Sequence, residues 1–385
     1  KDISLQASEL NSQGSVSVQA GRDLNLSTVN VSRKDLSSAG DDDYVMHASS
    51  KDVGTQIQAK HDIQLKSGGA TSIQAGVINS KEGNVVIDAT KGLSVTEGRE
   101  TSAHALSTHE QRSNAVSSSR KDNLLEDREN LAVASVISGK QIVLNSGQDI
   151  TIQGSNVVSD ELTQIQAKEN ISITAAENQH AKVSESTVKK SGFTGSLSDG
   201  VASVGYGKTN IKQDNKSQST SLTQSVVGSV NGNTNIIAGQ DLNAVASIIE
   251  AGKDINLMGK NVHLDAADIK QDTQSKFESK SSGVSIGFTY SGVAAAAASA
   301  KKSQDNNDFS DSAVGKIMSS AETVRKATMA ATTPVVFQAH NQKTTKTKDT
   351  SSTQSVGTEV KAGGNLNIIA TEGDICSQGA KVSAE

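Results

Sequence analysis

The chain has 385 residues, a formal net charge of −5, one cysteine, one proline and no tryptophan. The net charge is small and no long basic run is present, so the sequence lacks the clustered positive charge that is typical of nucleic-acid-binding proteins. A single cysteine cannot form an internal disulfide. No apolar run reaches the ~18 residues of a membrane-spanning helix, and aromatic residues, at 2%, are few for a conventional globular core.

A phrase of about seven residues recurs along the chain and reads small–Gly–x–Asp/Asn–Leu/Ile–x–apolar. Its second half alternates apolar and polar residues, which predicts a short strand with one buried face. The first half is turn chemistry, because glycine accepts positive φ and Asp or Asn can bond its own backbone. The copies are Ala20–Leu26, Ala59–Leu65, Ser146–Ile152, Ala167–Ile173, Ala238–Leu242, Ala251–Leu257 and Ala362–Ile368.

The spacing of the copies indicates the size of the repeating unit. Asp2 precedes Asp23 by 21 residues, and Asp149 precedes Asn170 by 21. Coils of roughly 20 residues with short strands predict an all-β fold, a right-handed parallel β-helix whose coils stack ~4.8 Å apart. A sandwich of antiparallel hairpins is the alternative, but the Asn-Gly and Asp-Gly turns that it requires do not recur.

Polar insertions interrupt the repeat. The first contains three consecutive acids, Asp41–Asp43, and in the second the segment 122–134 is compatible with a short helix. In chain order we expect β-helix coils at 1–95, 136–175, 230–266 and 358–385, and polar insertions at 32–54, 96–135, 176–229 and 267–357.

The last two insertions resemble each other. Each opens with 17 residues, Ala176–Gly192 and Ala267–Gly283, and each contains the sequence Thr-Gln-Ser-Val near its end, at Thr223–Val226 and Thr353–Val356. The Ser/Thr/Lys/Gln-rich arms are compatible with disorder. The matching arms around a variable tip favour the alternative, antiparallel β-ribbons that protrude from the solenoid.

The tips of these two insertions hold the candidate contact residues. In the second tip apolar and small residues alternate, and the segment Gly283–Val293 has the ~9–11 residues of a membrane-spanning strand. A helix is expected at 311–333, where it would end before Pro334. The interpretation that we favour over a membrane-spanning strand is a capping strand and helix packed on the solenoid. The candidates for contact with a membrane or partner are Phe193, Leu197, Tyr206, Val284, Ile286, Phe288 and Tyr290.

No pattern of catalytic or metal-binding residues stands out. His104 and His109 lack the His-Glu-x-x-His spacing of a zinc site, and Asp41–Asp43 lacks the spaced ligands of a calcium loop. The recurring acids of the repeated phrase are better explained as turn residues than as the paired carboxylates of a polysaccharide-cleaving β-helix. We therefore predict no catalytic residue, no metal, no cofactor and no enzymatic activity.

The Ala-Gly-x-Asp-Leu-x-Leu phrases, the sequence Ser281–Phe288 and the returning Thr/Ser arms together resemble the filamentous hemagglutinin repeat family. The resemblance covers 1–31, 55–95 and 136–385. It is greatest to the second hemagglutinin-repeat region of CdiA-type contact-dependent growth inhibition effectors and related adhesins. It implies two-partner (type V) secretion through an outer-membrane transporter, a location on the bacterial cell surface, and no catalytic residues within the repeats.

The resemblance also implies a role. This region of the effectors helps to carry a C-terminal toxin across the outer membrane of the target cell. Our main hypothesis is therefore a non-catalytic delivery module, part of a longer secreted virulence protein, that contacts the target outer membrane or a surface receptor. An adhesin stalk and, less favoured, a polysaccharide-cleaving enzyme are the alternatives.

Overall fold

The computed structural model describes residues 1–39, 42–198, 201–289 and 335–384. Within these residues the chain forms 32 strands and no helix. The all-β prediction is confirmed, and the parallel sheets agree with the predicted β-helix. The helix expected at 311–333 and the candidate residue Tyr290 lie outside the described residues.

Short parallel strands form a solenoid with three faces, and successive strands move from one face to the next. The first face consists of β1 (Ile3–Gln6), β4 (Leu24–Ser27), β9 (Thr71–Gln74), β12 (Leu93–Thr96), β16 (Ile150–Gln153), β18 (Ile171–Thr174), β23 (Asp241–Val245), β26 (Asn261–Asp265) and β31 (Ile375–Gln378). The second face consists of β2 (Glu9–Ser12), β7 (Gln56–Ala59), β10 (Val77–Ser80), the first halves of β15 (Val136–Ser146) and β17 (Asn156–Ala167), β21 (Val226–Ser229), β24 (Ile248–Ala251), β29 (Glu359–Ala362) and β32 (Lys381–Ala384). The third face consists of β3 (Val16–Ala20), β8 (Ile63–Ser67), β11 (Val85–Ala89), the second halves of β15 and β17, β22 (Asn233–Ala238), β25 (Ile255–Gly259) and β30 (Leu366–Ala370).

The core of the solenoid is a set of aliphatic ladders. Because the coils stack in register, the same inward position of each coil lies directly above that of the coil before it. The members within the stack are fully buried, whereas the end members are either partly buried or, like Ile375 and Val382, exposed. One ladder on the third face is Val18, Leu65, Ile87, Leu144, Ile165, Ile236, Leu257 and Ile368.

Close stacking of the coils explains the glycine of the repeated phrase. Neither Gly147 nor Gly239 has the positive φ that the sequence interpretation assumed, so that explanation is wrong. A Cβ on Gly147 would lie 2.0 Å from the carbonyl oxygen of Thr90, and one on Gly239 would lie 2.1 Å from that of Lys168. These glycines are therefore required because the backbone of the preceding coil leaves no room for a side chain.

The Asp or Asn of the phrase joins neighbouring coils. Oδ1 of Asp149 accepts a hydrogen bond from the backbone amide of Asn170 at 3.0 Å, and Oδ1 of Asn170 accepts one from the amide of Asp241 at 3.1 Å. Oδ1 of Asp254 likewise accepts from the amide of Asn365 at 2.7 Å. These side chains bond the next coil rather than their own backbone, which corrects that part of the interpretation and gives the acids a structural role.

Four antiparallel hairpins leave the solenoid at one corner. Each begins after a strand of the first face and returns before a strand of the second face. The hairpins pair with one another along their edges, in the order β28-β27-β20-β19-β14-β13-β6-β5, to form what we call the hairpin sheet. Its strands are β5 (Val29–Ser38), β6 (Tyr44–Val53), β13 (Gly98–Ser113), β14 (Ser117–Val133), β19 (Ala176–Ser198), β20 (Val201–Thr223), β27 (Ala267–Thr289) and β28 (Val335–Val356).

The hairpins occur on every second coil, after β4, β12, β18 and β26. Strands in a sheet and coils in a parallel stack share a spacing of ~4.8 Å. A hairpin supplies two strands, so it needs the same ~10 Å that two coils occupy along the solenoid axis. This match allows the hairpins to pair edge to edge without a gap or a clash.

The short helix considered for 122–134 is wrong, because β14 extends through Val133. Fourteen residues of β14 pair with β19 on one edge, and β13 pairs along the other edge. Hydrogen bonds from two neighbouring strands outweigh the local helix propensity of this segment, which amounts to a few tenths of a kcal/mol per residue.

The two Thr-Gln-Ser-Val sequences are not structurally equivalent. Thr223 pairs with Ala176, the first residue of its outgoing strand, whereas Val356 pairs with Ala267 at the corresponding place. The two sequences are therefore offset by three residues.

A buried hydroxyl residue lies at the base of each hairpin, and in the last two hairpins its hydrogen bond closes the base. Ser225 Oγ donates to the carbonyl oxygen of Thr174 at 2.7 Å, and Thr358 Oγ1 donates to that of Asp265 at 2.8 Å. In both cases the acceptor oxygen belongs to the strand from which the hairpin departs. The fully buried hydroxyl residues that precede the returning solenoid strands are Thr55, Ser135, Ser225 and Thr358.

Candidate functional site

The end of the hairpin sheet farthest from the solenoid carries two rows of apolar residues. One row places Phe193 opposite Tyr206, Tyr206 opposite Val284, and Val284 opposite Ala339. Directly opposite residues of antiparallel strands share a face, and so do residues two apart in one strand. The next row therefore continues the same face. We call this surface the apolar tip face and define it by Phe193, Val204, Tyr206, Val284, Ile286 and Phe337.

The apolar tip face is exposed to solvent. Phe337 is 77% exposed and Val284 63% exposed, although both are apolar. The rings of Phe193 and Tyr206 meet edge to face with centroids 5.7 Å apart, a geometry that favours aromatic contact. Contiguous exposed apolar surface of this kind commonly marks a contact site for a protein or a membrane.

The opposite face at this level is built from small residues. Gly192, Gly207 and Gly283 stand in one transverse row. The 17-residue openings of the last two insertions therefore end at the same level of the sheet, as their sequences suggest. A Cβ on Gly283 would lie 2.8 Å from Cε1 of His340. The end of the sheet thus has one apolar side and one side of glycine, serine and other polar residues.

The structure brings four of the seven predicted contact residues, Phe193, Tyr206, Val284 and Ile286, together on one face. The backbones of Leu197 and Phe288 occupy the adjacent row, where each is opposite Ala202. The sequence analysis missed Val204 and Phe337. The sequence indicated Val204 only through its alternation with Tyr206, and Phe337 only through the apolar run Val335–Phe337. The residues opposite this run become known only from the strand pairing.

A basic row crosses the same face closer to the solenoid. It contains Arg120, Lys189, Asn210, Lys280 and Lys343, each opposite the next. Lys208 lies between this row and the apolar tip face on the same side of the sheet. We call Arg120, Lys189, Lys208, Lys280 and Lys343 the basic belt. All five side chains are exposed.

Acidic groups border the basic belt on its inner side. Burial raises the pKa of Asp122, but hydrogen bonds from Arg120 and His109 lower it more, so the net pKa is below the usual range. Arg120 Nε lies 3.0 Å from Asp122 Oδ2. The pKa of Glu278 is also lowered, first by a hydrogen bond from Lys276 at 2.8 Å and further by the charges of Lys280 and Lys343.

The described residues contain no group of three or more His, Cys, Asp or Glu side chains placed to hold a metal ion. His104 and His109 stand an odd number of residues apart in β13 and so point to opposite faces of the sheet. The ring of His104 instead contacts that of His47, with centroids 4.4 Å apart. Among the residues with described structure, we find no helix of the length and apolarity needed to span a bilayer.

The model of the hemagglutinin repeat matches this chain at residues 114–221, 204–329 and 339–385. Each match begins near the start of a returning strand, at β14, β20 or β28. The first two matches each include a returning strand, the two coils that follow it and the next outgoing strand, and the first also extends through most of β20.

Proteins similar to this chain include a tRNA nuclease CdiA of Escherichia coli (strain STEC_O31), 26% identical over 100% of this chain and 12% of that protein. A tRNA nuclease CdiA-2 of Burkholderia pseudomallei (strain 1026b) is 26% identical over 86% of this chain and 11% of its own length. Toxin CdiA of Yersinia pestis is 30% identical over 66% of this chain and 8% of its own length.

The chain thus spans about a tenth of the length of these curated relatives. No solved structure matches it. The repeat model covers well over half of the residues, including both long hairpins and the coils between them. The chain therefore belongs to the hemagglutinin repeat family.

Proposed function

We propose that this chain is a non-catalytic β-helical segment of a large secreted bacterial exoprotein, and that it helps to deliver a toxin by contacting the outer membrane of a target cell. The apolar tip face is the observation that carries the proposal. A stalk requires only the solenoid, whereas this chain also projects strands of 23 residues, roughly 75 Å at ~3.3 Å per residue. Near their far ends these strands carry exposed apolar side chains, Phe193 and Tyr206.

The chemistry of the apolar tip face suits the interface of a lipid bilayer. Transfer of apolar side chains out of water is favourable by about 25 cal/mol per Å² of surface buried. Tyr206 adds an aromatic ring with a polar end, the type of side chain that is enriched at membrane surfaces. The backbone amides and carbonyls at this level are paired within the sheet, so contact with lipid would leave few of them without partners.

The relatives' names include a tRNA nuclease activity, which we do not assign to this segment. The acids that recur in its solenoid, such as Asp149 and Asp254, are engaged in hydrogen bonds between coils. We place the full-length protein at the bacterial cell surface after secretion through an outer-membrane transporter. We also propose a right-handed solenoid, because crossovers between parallel strands are right-handed in about 98% of cases.

The proposal is tested by adding the 385-residue chain to outer-membrane vesicles and measuring sedimentation and protease protection. We expect the chain to sediment and the hairpins at 176–228 and 269–357 to become protected. The triple variant Val284→Ser/Ile286→Ser/Phe337→Ser should bind at least tenfold more weakly, because each serine removes apolar surface from the contact.

The matched control is Val188→Ser/Ile211→Ser/Phe277→Ser, which removes three apolar side chains from the other face of the hairpin sheet, on β19, β20 and β27. This control should bind like the parent once circular dichroism shows that it is folded. Hairpins that stay fully protease-sensitive, or a tip variant that binds as tightly as the parent, would contradict membrane contact. The second result would instead fit a stalk that only projects another binder.

A further inference from the structure

We propose that the basic belt binds the phosphate groups of an anionic lipid surface, so that the hairpin sheet docks on lipid with a net negative charge in preference to zwitterionic lipid. The inference rests on the proposed function, because it names the lipid chemistry that the same surface recognises. Three observations support it: like charges are paired across the strands, the lysines lack acidic partners, and the belt has a fixed order relative to the apolar tip face.

Like charges stand directly opposite each other within the basic row. Arg120 pairs with Lys189, and Lys280 pairs with Lys343. Directly opposed like charges destabilise an antiparallel sheet, whereas opposite charges stabilise it by roughly 0.2–1 kcal/mol per pair. The remaining member, Asn210, contributes no acid to the row. An external anion would relieve this repulsion.

The lysines of the belt form no direct ion pair in the described ranges, although the charges of Lys280 and Lys343 act on Glu278 at longer range. Lys189, Lys208, Lys280 and Lys343 are exposed and form no ion pair there. Of the acids on the inner side, Glu278 is bound by Lys276 at 2.8 Å and Asp122 by Arg120 at 3.0 Å, so neither forms an ion pair with a lysine of the belt. The four ammonium groups are therefore available to an anion from outside the molecule.

The basic belt and the apolar tip face have the order that a membrane surface requires. Along β27, Lys280 precedes Val284 by four residues on the same face, a separation of ~13 Å at ~3.3 Å per residue. Apolar side chains that enter the hydrocarbon boundary would leave the lysines beside the phosphate layer. The other face at the level of the basic row has one basic residue, Lys190, among Ser119, Thr209, Ser281 and Gln342.

The test compares binding of the 385-residue chain to vesicles of phosphatidylcholine alone and of equal parts phosphatidylcholine and phosphatidylglycerol. A basic side chain near an anionic surface gains ~1 kcal/mol, about fivefold in partitioning. The variant Lys189→Gln/Lys280→Gln/Lys343→Gln should therefore lose on the order of a hundredfold in binding to the anionic vesicles at low salt. The arginine triple variant at the same positions should retain the binding of the parent.

The control variant Lys121→Gln/Lys182→Gln/Lys346→Gln removes the same number of positive charges as the test variant. Its three residues lie on β14, β19 and β28, on the face of the hairpin sheet opposite the basic belt. It should lose less than fivefold. Equal loss in both glutamine variants, or none in either, would overturn the inference. Equal binding of the parent chain to both vesicle types would overturn the preference for anionic lipid but would leave the proposed membrane contact standing. Parent chain that binds neither type would overturn the proposed function as well.

Discussion

The solenoid and the hairpin sheet are both made of β-strands, yet different forces hold them together. In the solenoid, side chains such as Leu144 are 0% exposed and stack within an enclosed core. In the hairpin sheet, side chains such as Leu125 remain half-buried, because the sheet is a single layer. Apolar burial therefore holds the solenoid, whereas ladder hydrogen bonds and cross-strand pairs hold the sheet.

The stability of the hairpin sheet depends on the folded solenoid. An isolated two-stranded hairpin is only marginally stable in water. Here the solenoid holds the bases of the four hairpins at a spacing that suits strand pairing, and the buried hydroxyls of Ser225 and Thr358 anchor the last two. The entropy cost of bringing the strands together is thus largely met by the folded coils.

Deletion of residues 150–170 should have the largest effect on this relationship. The deletion removes one coil and joins Asp149 to Ile171, which occupies the register position of Ile150. The hairpins that follow β12 and β18 would then leave from adjacent coils, only ~5 Å apart along the solenoid axis. Each hairpin has two strands and occupies ~10 Å in that direction, so the two would no longer fit side by side. We expect the 14 cross-strand pairs between β14 and β19 to separate, a loss on the order of 10 kcal/mol, measured as faster amide hydrogen exchange in both strands.

The control is deletion of residues 150–241, which removes two coils together with one hairpin and joins Asp149 to Leu242. This deletion preserves both the register of the first face and the alternation of the hairpins. Its remaining hairpins should stay protected from exchange. Slow exchange across β14 and β19 in the one-coil deletion would show that the hairpin sheet does not depend on coil spacing.

Leucine-to-alanine substitutions in the two regions should differ in cost. Leu144→Ala leaves a cavity in an eight-member ladder and should reduce the free energy of unfolding by about 2–5 kcal/mol. Leu125→Ala loses only a half-buried contact opposite Leu106 and should cost about 1 kcal/mol or less. Denaturant unfolding, followed by circular dichroism, measures both. Equal costs would mean that the hairpin sheet has a second, covering layer in solution.

The smallest effect concerns Asp122 and the pH. Its pKa is lowered in the folded chain, so its stabilising contribution is present above the unfolded pKa of about 3.9 and is lost as the pH falls through the lower folded value. Asp122→Asn should therefore reduce the free energy of unfolding by at most about 1 kcal/mol near neutral pH, since the site is partly exposed. The difference should vanish in strong acid, and a difference that grows on acidification would contradict this sign.

Local patterns were sufficient to predict the coils. The alternation in phrases such as Asp23–Leu26 identifies a half-buried strand, and the recurrence of the phrase at 21 residues identifies a stack of coils. The same alternation identified Phe193, Tyr206, Val284 and Ile286 as candidate contact residues. The strands of the coils could be predicted because burial of alternate side chains is set within a few consecutive residues, whereas the contact role of these four residues stays a prediction.

The hairpin sheet, its register and the basic belt depend on contacts between distant parts of the chain. Segment 122–134 has helix-compatible residues but forms a strand, because strands on both sides bond to it. The belt joins residues from Arg120 to Lys343, and no run of basic residues in the chain reveals it. Strand pairing brings such residues together through long-range hydrogen bonds, so their proximity becomes visible only in the folded molecule.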